Sequence, residues 1–220
     1  MLKRWMSTSL GVSALLVSSG CGAPISNDES RVAANSDASS STFAPEAPRT
    51  LSSSIEIFHF AELDKMVATS DLVIQGRVSS ISRGPMIGDS DYGKIEMREV
   101  EVRVTESIYG SGPDELLTFF EEGWTNGQQI EVNGVEASQV GDFGLYFLIE
   151  VPGFQLPKGS YVLISSQGRY LREGQSDSVR ASNSGDEFGR SLASRGYNRL
   201  RADTRQEAER ARRGEVQPQD

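Results

Sequence analysis

Few residues in this 220-residue chain have the type and spacing to do chemistry; it holds one cysteine, Cys21, and one histidine, His59. Cys21 lies in "VSALLVSSGCGAP", among Gly, Ser and Pro, with no apolar periodicity downstream for a core to form around. A thiolate nucleophile needs an adjacent base, and none stands within plausible reach. A lone cysteine also argues against a disulfide framework or a cysteine-ligated zinc site. His59 stands between Phe58 and Phe60 at a helix entry, where packing or capping is expected rather than general-base work. A Ser-His-Asp site would have to use it, and no G-x-S-x-G elbow is present.

Glu121 and Glu122 are adjacent carboxylates at the end of a strand pattern. Neighbours on a strand point to opposite faces, so adjacency alone does not make them a glycosidase pair, and a solvated strand end is expected. "GDSDYG", residues 88–93, has the Asp-x-Asp flavour of a calcium loop, but the twelfth position is Val100 where a bidentate Glu would be needed. It reads as a hairpin loop. "YGSGPDE" has two glycines but no Lys or following helix, so it is a turn and no phosphate loop. Trp124 in "EEGWTNGQQ" sits in a Gly/Asn-rich stretch, where an aromatic is either a ligand contact or a plug for one end of the fold. No catalytic residue, metal set or cofactor motif is expected.

Charge limits the partners. The net charge is −9, which argues against nucleic acid, because phosphate binding needs a basic face. Residues 190–220 run the other way, with eight Arg against five acids, so an acidic body carries a basic tail.

The elements follow from apolar spacing. Residues 22–54 are rich in Ser, Ala, Asn, Asp and Pro without periodicity; such a segment buries too little to offset its ordering entropy and reads as a disordered linker spanning roughly 30 Å. A body is expected over residues 55–183 and a tail over 184–220. Phe60, Leu63, Met66 and Val67 predict a helix over 60–69. Leu72, Ile74, Gly76 and Val78 share one strand face, as do Val100, Val102, Val104 and Ile108; Ile95 and Met97 break that parity, implying a β-bulge near Arg98. "ELLTFFEEG" is a further strand, "VGDFGLYFLIEV" a central strand covered on both faces, and "SYVLISSQGRYLREG" a hairpin turning at Gln167–Gly168, with a short closing strand around Val179. The expected fold is mainly β: five or six strands forming a small closed or partly closed barrel, with a short N-terminal helix and a C-terminal helix. That last helix, about 197–213, carries a stripe of Tyr197, Leu200, Thr204, Ala208 and Ala211 and a Glu209–Arg213 pair. It is expected to cap the barrel; its Arg face touching anionic lipid is the sharper alternative.

Lys3 and Arg4 precede an apolar stretch, Leu10 to Val17, too short to span a bilayer, which reads as an export signal over residues 1–20. With Ser18, Ser19 and Gly20 leading into Cys21, the segment resembles a bacterial lipoprotein signal peptide, although Ser18 stands where such boxes favour Leu. The resemblance implies acylation of Cys21, with membrane lipid as its partner. Several acyl chains on one residue hold firmly, at roughly 0.8 kcal/mol per buried methylene. A core thiol, or ordinary secretion with cleavage after Ala23, are the rivals; Pro24 would sit just past that cut. Gly22 rather than Asp follows, which for a diderm organism implies the outer membrane and for a monoderm its cell membrane. "SDLVIQGRVSSI", "EVRVTESIYG", "GLYFLIE" and "GRYL", within residues 70–173, resemble a class of exported bacterial domains similar to the oligosaccharide/oligonucleotide-binding-like barrel of netrin and metalloproteinase-inhibitor domains. The expected function is a non-catalytic, membrane-anchored extracytoplasmic lipoprotein binding a protein or cell-envelope polymer. Alternatives are a metalloprotease-inhibitor-like domain, which would need a free amino-terminal cysteine to chelate zinc, and a hydrolase.

Overall fold

A computed structural model describes residues 50–52, 58–89, 93–151 and 155–219. In chain order the elements are β1 (Thr50–Ser52), α1 (Leu63–Thr69), β2 (Leu72–Ile87), β3 (Ile95–Tyr109), β4 (Leu116–Thr125) and β5 (Gln128–Val132). They continue with β6 (Phe143–Glu150), β7 (Tyr161–Leu163), β8 (Arg169–Arg172), β9 (Val179–Ala181), α2 (Glu187–Ala193) and α3 (Tyr197–Arg212). The protein is mainly β. Cys21, the signal segment and almost all of the expected linker lie outside the described residues.

Five strands ring back on themselves. β2 pairs with β3, β3 with β4, β4 with β7, β7 with β6, and β6 with β2; the β4–β7 pairing is parallel and the others are antiparallel. Period-two alternation turns Leu72, Ile74, Val78, Val100, Val102 and Phe119 into one buried cluster inside the ring. Gly76 belongs to the same face because a Cβ there would lie 2.4 Å from Val102 Cγ1. Nine strands are seen among the described residues where five or six were expected; β1, β5, β8 and β9 extend the sheet beyond the ring.

β6 is buried continuously from Gly144 to Leu148. Tyr146 and Leu148 face the ring interior, while Leu145 and Phe147 face a second core built with Phe60, Met66, Leu192, Tyr197 and Leu200 from the helices. The tail helix is therefore part of the body's packing. Its stripe is buried at Tyr197, Leu200, Thr204 and Ala208, and α3 docks against α1 and β3. The expected Glu209–Arg213 pair is not made. Glu209 takes Arg212, and Arg213, just past the helix end, turns to Glu215 at 2.5 Å. Among the described residues, no helix is long and apolar enough to cross a membrane.

Three local expectations change. The first helix begins at Leu63 and not Phe60. The Gln167 side chain holds the Phe60 backbone on both sides, accepting from its N–H at 2.7 Å and donating to its carbonyl at 3.0 Å, which ties this residue to the β7–β8 loop ahead of the helix. The hairpin at Gln167–Gly168 does not form: β7 and β8 both run antiparallel along the same edge of β6, at Leu148–Glu150 and Gly144–Tyr146, separated by a short loop. Ile108 leaves the Val100–Val104 stripe for the helix-side core, because the β2–β3 register shifts between Gln75 and Gly76 and again between Val73 and Ile74.

Candidate functional site

Ordinary alternation puts the two adjacent carboxylates on opposite faces of β4, and one glycine follows them. In the β3–β4 pairing Met97 opposes Glu122 and Glu96 opposes Trp124, so Gly123 is an extra residue, a β-bulge. A side chain there would lie 2.6 Å from Arg98 Cγ and 2.9 Å from the Glu96 carbonyl oxygen. A second shift falls opposite the same place, between Arg83 and Met86 on β2. The bulge expected near Arg98 is thus found on the two partner strands and not on β3, which alternates regularly from Ile95 to Val104.

Inside the ring, toward this end, Arg98 and Glu121 continue the inward stripes of β3 and β4. Arg98 Nε lies 3.1 Å from Glu121 Oε1, and Arg169 Nη1 lies 3.4 Å from Glu121 Oε2. Arg169 is 1 % exposed; it also donates to Ser138 Oγ and to the Glu136 carbonyl. The Ser138 N–H and hydroxyl both donate to Glu121 at 2.9 Å, and the Ser138 carbonyl accepts from Arg98 Nη2 at 2.7 Å. Two guanidinium groups thus share one carboxylate, with backbone and hydroxyl groups satisfying most of the rest. Such burial is tolerable only when the charges are paired and hydrogen-bonded. Glu121 is accordingly no solvated strand end. Trp124 lies on the strand, half-buried, with Arg83 at 4.8 Å and Arg98 at 5.6 Å from its ring centre. It lies against two arginines, Arg98 of the ionic cluster among them.

Outside the ring the same strands line an apolar groove with a cavity of about 320 Å³. Met97 of β3, Phe120 of β4, Ile149 of β6 and Val162 of β7 form its floor, each on the parity opposite to the ring interior; Ile130 and Val132 of β5 line it as well. β5 is brought back there by a two-residue turn at Asn126 and Gly127, with φ of 49° and 76°. Both signs suit a type I′ hairpin. Glu122 projects to this side. It is half-buried, with no hydrogen bond or ion pair to any described residue, and burial raises its carboxyl above the usual carboxylate range.

The other expected sites are scattered. His59 is exposed, 71 % at its side chain, with Nε2 3.9 Å from Asp186 Oδ1. It therefore neither packs into the core nor caps α1, whose N-cap is Glu62; the neighbouring phenylalanines take the buried positions. "GDSDYG" joins β2 to β3, with residues 90–92 outside the described set. Among the described residues, no group of three or more His, Cys, Asp or Glu side chains is placed to hold a metal. The arginines of α3 are all paired with acids: Arg199 with Asp203, Arg201 and Arg205 with Glu106, Arg210 with Glu207 and Arg212 with Glu209. That leaves little free charge on the face considered for anionic lipid.

Sequence reasoning did not find the groove, although a signal existed. "LTFF", "GLYFLI" and "YVLI" are apolar on both parities, which means two covered faces, and Asn126-Gly127 marks the hairpin that brings β5 to the outer one. Compared with known proteins, the chain matches no family model and no curated protein.

Proposed function

We propose that this chain is a non-catalytic, lipid-anchored extracytoplasmic binding protein, tethered through acylated Cys21, and that the groove on the outer wall of its strand ring is the ligand site. The five-membered ring with one parallel closure supports reading the body as a small oligosaccharide/oligonucleotide-binding-like barrel, a scaffold that serves many ligands. The observation that carries the reading is the open apolar cavity of about 320 Å³. It is at the small end of the size range of ligand pockets, and it combines apolar walls with very few polar groups. The ionic cluster of Glu121 supports the wall from behind and engages its own polar groups internally.

Two measurements test this. The mature protein should bind the neutral apolar dye N-phenyl-1-naphthylamine saturably, with Val162→Asp abolishing the signal while the circular dichroism spectrum is kept. Dye binding that never saturates, or that is unaffected by this substitution, would remove the ligand site. Mass spectrometry of the mature amino terminus should find Cys21 acylated, and Cys21→Ala should move the protein from the membrane fraction to the soluble one.

A further inference from the structure

Among the described residues that line the groove, three are ionisable, Glu121, Glu122 and Glu136, and none is a Lys, Arg or His. Glu121 is engaged by Arg98 and Arg169 on the ring side of β4. Glu136 is paired with Arg180. Glu122 alone is left with no partner among the described residues, on a wall formed by Phe120, Met97, Ile130 and Val162. A carboxylate placed among apolar side chains loses hydration that nothing in the protein replaces. A bound cation would restore a partner to that charge, and an apolar body would cover the surrounding wall.

We infer that the groove takes a small amphiphilic amine, an apolar body carrying one ammonium group that pairs with Glu122. This rests on the groove being the ligand site, as proposed above, and adds the charge of the ligand. A fatty carboxylate is disfavoured, because it would bring a further anion to walls on which no described residue is a cation. A neutral amphiphile gains the apolar contact but leaves Glu122 unpaired. An ammonium–carboxylate contact in such surroundings is a charge-assisted hydrogen bond, worth about tenfold in affinity over the neutral analogue.

The test uses the mature full-length protein loaded with N-phenyl-1-naphthylamine and displaced by octylamine, octanol or octanoate at about neutral pH, where the amine is charged and a free carboxylate ionised. Octylamine should displace the dye at about one-tenth the concentration of octanol, with octanoate weakest. Glu122→Gln should bring octylamine and octanol to within about twofold of each other. In the wild-type protein the preference for the amine should shrink as the pH falls toward about 4 and Glu122 takes up its proton. That arm needs no variant to fold. Equal displacement by octylamine and octanol, or an amine preference that survives Glu122→Gln or acid, would overturn the assignment of an amine while leaving the groove as a ligand site. Failure of the dye to bind saturably, or of every octyl compound to displace it, would overturn both.

Discussion

The closed end of the strand ring and the groove on its outer wall are separated by the thickness of one strand, and adjacent carboxylates on β4 face into them. Glu121, inside, meets two arginines, a serine hydroxyl and a backbone N–H. Glu122, outside, meets none of these, although it too is removed from full hydration. The difference is one of satisfaction more than of burial. At the inner site the one carboxylate is held by two guanidinium groups and by the Ser138 N–H and hydroxyl. At the outer site an apolar surface carries one carboxylate with no counter-charge among the described residues, which is the ground for the ligand site proposed above. Glu106 provides a third case. It also holds two arginines, Arg201 Nη2 at 2.7 Å and Arg205 Nε at 2.5 Å, but at the partly exposed seam between β3 and α3.

This comparison breaks most readily at Glu121. Glu121→Ala leaves two buried guanidinium groups without their anion and should destabilise the fold by about 3–5 kcal/mol in urea denaturation. A loss below about 1 kcal/mol would mean that the ring end is open to water and that the inner site is no different from the outer one. Trp124→Ala removes the ring against which Arg83 and Arg98 stack and should cost about 1–2 kcal/mol, with no change in dye binding if Trp124 covers the cluster and does not touch ligand.

The same stoichiometry at the surface should be worth less. Glu106→Gln should cost about 1 kcal/mol at neutral pH, because solvent and salt screen its arginines. Burial alone would raise the Glu106 carboxyl, but the hydrogen bonds and charges of Arg205 and Arg201 together outweigh it and hold the group below its usual value. A carboxyl lowered by folding contributes stability that is present above its usual value and is lost as the pH falls through the lowered one. The wild type and Glu106→Gln should therefore converge in thermal denaturation at acid pH.

Glu122 should behave in the opposite sense, with the smallest effect. Its carboxyl is raised by folding, so stability falls as the pH climbs from the usual carboxylate value through the raised one. Glu122→Gln should slightly raise the melting temperature at neutral pH and make no difference at pH values where the acid is protonated anyway. A lower melting temperature at neutral pH would show that Glu122 has a cationic partner within the chain, and the groove would then resemble the ring end.

The alternating strands were the most legible part of the chain. Val100, Val102 and Val104 share a face in the structure as their spacing requires, β6 is covered on both sides, and α3 ends within a residue of its expected limit. The exception is β3, where a single apolar face does not hold. The opposite parity of Met97 implies a phase slip in β3, but Met97 is an outward residue on a strand whose outer wall is also apolar. The sequence "SSQG" has ordinary turn chemistry, yet β8 goes to β6 because Gly144 allows the Tyr170 carbonyl to approach to a point 2.2 Å from where a Cβ would lie. Glu121 looked solvent-facing because its partners, Arg98 and Arg169, are distant along the chain, and no local pattern announces an ion pair across a ring.

The sequence by itself determined which stretches become strands and helices, and which of their residues are apolar enough to seek cover, because hydrophobic periodicity is a local property that survives without knowledge of neighbours. Tertiary structure alone decided which of two adjacent carboxylates would be answered and which left open. Ring closure, the Gly123 bulge and the meeting of Arg98 with Arg169 bring together residues from separate strands, and the energy of a charge is set by what surrounds it in space and not by what precedes it in the chain.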